Sequence, residues 1–142
     1  MEVDEDGKMS AAQVADIQDK LLTKVLPVLE KHLIEKSDKK TVRSFVVVCY
    51  AQTIRKLAPS SFNNKLNKLV NLIVVNGLRS KDLSHREKAR KALLKLLNEV
   101  SPRFLAVIFE EMKTQLTRGF QQHVYLFTVH YLMQGLVEAG SI

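Results

Sequence analysis

Residues 84–102, SHREKARKALLKLLNEVSP, leave the backbone little choice. Ala89, Ala92, Leu93, Leu96, Leu97 and Val100 recur at i, i+3, i+4 and i+7, one apolar stripe on a 3.6-residue helix. Ser84 with Glu87 has the spacing of a capping box at its start, and Pro102 punctuates its end. The same pattern occurs earlier. An ungapped offset of about 43 residues lays residues 41–59, TVRSFVVVCYAQTIRKLAP, on it. Thr41 meets Ser84, Arg43 meets Arg86, Cys49 meets Ala92, Ile54 meets Leu97, Leu57 meets Val100 and Pro59 meets Pro102. A helix of this length is marginal in water by itself, so a recurring striped helix must find its stability on its neighbours.

The remaining segments have the same helical period. Ser10 and Gln13 form a capping box before Val14, Ile17, Leu21, Leu22, Val25, Leu26, Val28, Leu29 and Leu33. Pro27 should kink that helix rather than end it, because the stripe continues beyond it. A second helix starts at Asp38 or Thr41, runs to about Leu57 and is closed by Pro59. A third spans about 62–78, with Leu66, Leu69, Val70, Ile73 and Val74 facing inward, and weakens at Asn76-Gly77. The striped helix is the fourth. A fifth begins at Pro102 and runs to about Thr117, with Gly119 as its stop. A sixth ends near Gly140. The expected fold is all-α: three antiparallel helical hairpins, about 10–58, 61–100 and 102–139, stacked as a HEAT/armadillo-like α-solenoid, whose repeats have periods near 40–47 residues. Residues 1–9 read as a disordered acidic leader. An ordinary helical bundle with coincidental spacing is the alternative.

The sixth helix is unusual. Over residues 124–133, VYLFTVHYLM, it is apolar or aromatic on nearly every side. Such a helix is normally buried. In a stack, an end helix with this composition calls for further repeats to cover it.

Charge and motif content narrow the function. Lys and Arg number 22 against 15 Asp and Glu, a net charge of +7. Glu2, Asp4, Glu5 and Asp6 crowd the first six residues, so the rest is more basic than the total implies. Within residues 59–103, Lys65, Lys68, Arg79, Lys81, Arg86, Lys88, Arg90, Lys91, Lys95 and Arg103 face only Asp82, Glu87 and Glu99. A field of that sign attracts phosphate backbones or acidic protein surfaces; a solvated helix face is the bland reading. The candidate binding residues are on the fourth helix: Lys88, Lys91 and Lys95 opposite the Leu93–Leu97 stripe, with Arg86 and Arg90 flanking it. No aromatic is interleaved with them, which favours contact with backbone or duplex shape over base stacking.

Catalytic patterns are missing. Neither G-x-S-x-G nor a phosphate-binding glycine loop occurs. Glu110 and Glu111 point about 100° apart on a helix and make a poor acid–base couple. Cys49 cannot form an internal disulfide, and its apolar setting reads as a buried thiol. His123 and His130 are seven residues apart rather than at the i, i+4 spacing of a one-helix zinc site, and read as structural. Thr128 can bond back to a carbonyl of its own helix. His32 and His85 read as exposed. No run is long and apolar enough to span a bilayer. The chain is therefore expected to be no enzyme, with no cofactor, metal, membrane or small-molecule substrate.

Residues 104–132, FLAVIFEEMKTQLTRGFQQHVYLFTVHYL, add a more specific signal. An acidic-then-basic helix (Glu110, Glu111, Lys113, Leu116) leads to an Arg-Gly-aromatic turn (Arg118, Gly119, Phe120, Gln121). A His-Val…Thr-Val-His helix follows (His123, Val124, Thr128, Val129, His130). This resembles the DRIM-type (down-regulated in metastasis) family, very large HEAT-repeat proteins of the small-subunit processome. The resemblance covers roughly a fifth to a quarter of the chain. It implies a nucleolar scaffold that works with pre-ribosomal RNA or the U3 small nucleolar ribonucleoprotein and other processome proteins, and supports 18S ribosomal RNA maturation. It marks Arg118, Gly119, His123, Thr128 and His130 as structural motif residues. The competing reading is a protein-only HEAT adaptor, a transport or regulatory scaffold that grips acidic or amphipathic segments. Salt-sensitive RNA binding separates the two.

Overall fold

The computed structural model describes residues 7–34 and 41–142. The acids of the leader, Glu2, Asp4, Glu5 and Asp6, and the proposed helix start Asp38 lie outside those residues. The described residues are helical almost throughout: α1 Ala11–Lys20, α2 Leu26–His32, α3 Ser44–Ile54, α4 Pro59–Ile73, α5 Leu83–Val100, α6 Leu105–Gln115 and α7 Phe120–Glu138.

α1 and α2 form one rod, joined by a π-helical turn at Leu21–Val25. The Ser10–Gln13 capping box at its start is present, with bonds of 3.2 and 2.7 Å. Pro27 explains the π turn. Proline has no N–H, and its ring crowds the carbonyl four residues back. The ladder slips just before it, and the Leu26 N–H reaches the Leu21 carbonyl, five residues back. The kink is thus a local widening rather than a break. The stripe predicted along this rod is only partly buried. Leu26 and Leu33 are enclosed, while Val14, Val25 and Val28 are exposed. An end rod has neighbours on one side only.

Several boundaries differ from the expectations. α3 begins at Ser44, because Val42 first pairs in an isolated antiparallel bridge with Ile34 and the Arg43 N–H bonds to the Leu33 carbonyl at 2.9 Å. Pro59 does not close α3 but opens α4, where a first-turn proline loses no bond. At α5 the cap is Asp82, whose Oδ1 accepts from the Ser84 N–H at 2.8 Å, rather than the predicted Ser84–Glu87 box. Pro102 starts a short 3₁₀ turn, Pro102–Phe104, that leads into α6. Gly119 opens α7 instead of stopping α6. Its φ of 55° and ψ of −129° suit glycine and strain other residues. α7 ends in a Schellman motif. Gly140, at φ 73°, donates to Val137, and Ser141 donates to Leu136 at 2.9 Å.

The rods pack in a regular order. α3 has its broadest contact with α5, and α5 packs in turn on α7; α4 packs on α6. α5 and α7 run in the same direction. Arg86 lies by Phe120, Arg90 by Phe127, and Leu94 by Gly135. α5 sits in the middle and buries Ala89, Ala92, Leu93, Leu96 and Leu97 as its pattern requires. Small residues set the spacing. A Cβ at Gly77 would collide with the Ala89 Cβ and press the Val42 side chain, so only glycine lets the π turn Val74–Leu78 lie on α5.

A polar tie joins α2, α3 and α4. Glu30 of α2 accepts a hydrogen bond from the Tyr50 hydroxyl of α3 at 3.0 Å. It also pairs with Lys68 and Lys65 of α4, at 3.1 and 3.6 Å. Burial alone would raise the Glu30 pKa. The bonds from Lys68 and Tyr50 and the charges of Lys68 and Lys65 outweigh it and hold the carboxyl below its ordinary value. Tyr50 is pushed upward by burial first, then by the Glu30 charge and their hydrogen bond.

Two outcomes follow for stability. Glu30→Gln should cost about 1–2 kcal/mol near neutral pH, the range of a charged hydrogen-bond network. Because the folded pKa is depressed, that contribution exists above the ordinary carboxylate pKa and fades as pH falls through the folded value. Urea unfolding of both proteins across that range should show the gap closing in acid. Gly77→Ala should destabilise by roughly 1–3 kcal/mol through overpacking, read as a lower urea midpoint.

Candidate interaction surfaces

The five basic residues singled out on α5 do not share one face. Lys88, Lys91 and Lys95 are exposed. At i, i+3 and i+7 they form a row on the outer side of the helix, opposite the Leu93–Leu97 stripe. Arg86 and Arg90, four apart, turn the other way, toward α7. Arg86 donates from Nη1 to the Ser80 carbonyl at 3.0 Å, and its guanidinium lies 5.9 Å from the Phe120 ring centre. Arg90 is only 4% exposed, with its guanidinium 4.5 Å from the Phe127 ring centre. Burial, then the Arg86 charge, lowers its pKa, against the smaller opposing pulls of Glu87 and Tyr131. An arginine so far above neutral pH stays charged under these pulls. Sequence periodicity already sets this pair apart, at the flank of the apolar stripe. On a helical wheel Arg86 and Arg90 fall beside Leu93 and Leu97, on the inward arc.

The motif residues separate likewise. Arg118 is exposed just before Gly119, whose backbone conformation makes the turn. His123 and His130 are both exposed on the outer side of α7. His85 is half-buried, its Nδ1 2.9 Å from the Ser80 hydroxyl, rather than exposed; His32 is exposed as expected. Cys49 is half-buried rather than enclosed.

α7 itself is two-faced. Val124, Thr128, Leu132 and Leu136 recur every fourth residue and are buried. Thr128 does not bond back to its helix. Its hydroxyl is enclosed and without a hydrogen-bond partner. The opposite side carries Leu126, Phe127, Met133 and Val137, which are 65, 56, 38 and 58% exposed. The helix is thus buried on one side only, and its outer half stands open, where its composition alone suggests burial on nearly every side. Near its start, a groove of about 250 Å³ is bounded by Leu83, Arg86, Arg90, Phe120, His123, Val124 and Phe127.

No group of three or more His, Cys, Asp or Glu suited to a metal ion occurs among the described residues. No described helix is long and apolar enough to cross a membrane. The enclosed, unbonded Thr128 hydroxyl makes one expectation specific. Thr128→Val keeps the shape and removes the desolvated oxygen, so it should raise stability by about 1 kcal/mol in thermal or urea unfolding, where a bonded hydroxyl would lose by a similar amount.

The chain is 38% identical over 68 residues to the U3 small nucleolar RNA-associated protein 20 of Schizosaccharomyces pombe (strain 972 / ATCC 24843). The alignment covers 46% of this chain and 3% of that relative, so the chain spans a small part of the curated relative's length. A second match is far broader. Residues 34–141, from the end of the first rod through the Schellman stop of α7, fit one family, and the chain belongs to it: the U3 small nucleolar RNA-associated protein 20 domain family.

Proposed function

We propose that this chain serves as a non-catalytic, HEAT-like segment of a scaffold for ribosome biogenesis. It would act in the nucleolus within the small-subunit processome, in support of 18S ribosomal RNA maturation. The observation that carries the reading is the order of packing. α3 on α5 on α7, with α4 on α6, is how successive hairpins stack in a solenoid. The repeats would be about 10–58, 61–100 and 102–139. Family membership supplies the link to U3 small nucleolar RNA, and the relative's name points the same way.

Lys88, Lys91 and Lys95 are the RNA-facing residues in this reading. A row of exposed ammonium groups with no aromatic between them neutralises phosphates without reading bases. Glu87 is the exposed acid close to the row. The protein-only adaptor reading draws on a different observation, the apolar outer side of α7, and predicts salt-tolerant complexes.

Charge reversal of Lys88, Lys91 and Lys95 to Glu should weaken binding to a labelled U3 or pre-ribosomal RNA fragment by at least about tenfold at low salt. It should also flatten the slope of log K against log salt by roughly 2–3, the share of three phosphate contacts. Fluorescence anisotropy across a salt series measures both. Wild-type RNA affinity that is flat between low and physiological salt would reject the RNA role and leave the adaptor.

A further inference from the structure

We propose that the groove between the N-terminal turns of α5 and α7 is a receptor for a carboxylate carried on an apolar helix of a protein partner, the Asp or Glu side chain being the group that reaches Arg90. This inference does not depend on the lysine row, which faces away from the groove.

The first observation is a cation whose burial is only partly offset. Arg90 is 96% enclosed yet lines the groove. Among the described residues its guanidinium lies against the Phe127 ring and forms no ion pair, and the pull of nearby Glu87 is smaller than the opposing effects of burial and Arg86. A desolvated guanidinium with no carboxylate in direct contact is costly to keep, and an anion placed against it recovers that energy. Arg86 adds a second guanidinium at the same wall. The lining contains no carboxylate to satisfy either.

The second observation is the field. α5 and α7, of 18 and 19 residues, both begin at this groove. Their N-terminal ends carry partial positive charge. Asp82 caps α5, whereas Gly119 gives α7 no side-chain oxygen. Loop and helix chemistry alone would not define a site, but here they add to a buried side chain aimed into a cavity.

The third observation selects the ligand. Leu83, Phe120, Val124 and Phe127 make most of the wall, with Leu83 55% and Phe127 56% exposed. From Phe127 the apolar surface continues along the outer side of α7 through Leu126, Met133 and Val137. A guanidinium fork accepts carboxylate and phosphate equally well. The surroundings decide between them. A nucleic-acid backbone brings further charge and water onto these leucines and phenylalanines, which would then be buried against polar groups. An amphipathic helix brings apolar side chains to the same places and needs only one acid at the arginine end. The cavity of about 250 Å³ holds one such side chain.

The test uses the full chain and 3-phenylpropionate as probe, with 3-phenylpropionamide and phenyl phosphate as comparisons. Titrations are followed by ¹H–¹⁵N spectra that include the arginine side-chain Nε–H signals. The expected result is saturable shifts at Arg90 and Phe127, with the carboxylate at least about tenfold tighter than the amide, as loss of a charged hydrogen bond implies. Arg90→Gln should remove that preference. Arg90→Lys, which keeps the charge but not the fork, should keep part of it and shows that the groove survives substitution. The distant Lys24→Gln should change nothing. Equal binding of acid and amide would reduce the site to an apolar groove and overturn the proposal. Tighter binding of phenyl phosphate would transfer the site to a phosphate ligand. Shifts that do not saturate would remove the site altogether.

Discussion

The burial of α5 between α3 and α7 is the contact on which the rest depends. It is possible because α5 offers small residues where its neighbours come closest. Ala89 and Ala92 are fully enclosed, and Gly77 admits the π turn Val74–Leu78 against Ala89. On the other side Gly135 of α7 leaves room for Leu94. With those small residues in place, Leu93, Leu96 and Leu97 are fully buried, each worth about 1.5–3 kcal/mol. The approach also sets the direction of α7, and with it which residues of α7 meet Arg86 and Arg90.

The two ends of the stack follow from the same contact. α5 is satisfied on both sides, so its exposed arc is polar. The first rod and α7 each have one neighbour in the stacking direction. Val25 and Val28 on one, and Leu126, Met133 and Val137 on the other, are the parts of their stripes that the stack does not reach. The polar tie at Glu30 works against that looseness at the first end. One carboxylate there joins α2 to α3 through Tyr50 and to α4 through two lysines. At α7 no comparable tie is present among the described residues, and the arginine–aromatic contacts take its place.

The sequence made the helices legible because a 3.6-residue stripe is a property of many residues together. The inward sets of α4 and α5 were read almost whole: Leu66, Leu69, Val70, Ile73 and Val74 on one, Ala89 to Leu97 on the other. Ends were read less well because one residue type serves two purposes. Proline suits a first turn and also stops a helix, so the sequence allows Pro59 either role, and the structure has it open α4. Glycine ends helices but also makes sharp entries, and the positive φ of Gly119 belongs to an entry. Asp82 and Ser84 are both good caps two residues apart, and only geometry chose Asp82. The surface was the hardest part. Periodicity sets Arg86 and Arg90 at the flank of the apolar stripe but does not say how deep they go, and Arg90 is enclosed while Lys88, Lys91 and Lys95 are not. Arginine's long apolar stem and flat head let it lie under a phenyl ring, where a lysine ammonium keeps its water. Thr128 shows the opposite error. Its local rule promised a backbone bond, and tight packing of the Val124–Leu136 stripe left the hydroxyl without one.

α5 therefore carries two kinds of positive charge, and they answer differently to solvent. The lysine row lies in water, where a Debye length near 10 Å at 0.1 M salt mutes its attraction. It can draw a polyanion from a distance but grips it weakly once salt rises. Arg90 is enclosed beside Phe127, so its attraction is short-ranged and less screened by salt, while half-buried Arg86 stands between the two cases. The two kinds of charge therefore lie on different sides of one helix, the lysines on its open arc and the arginines toward α7. The division comes from the helical period itself, since residues 86 and 90 fall on the packed arc and 88, 91 and 95 on the open one. Shifting either arginine by one position along α5 would swing it about 100° around the axis and end its contact with α7.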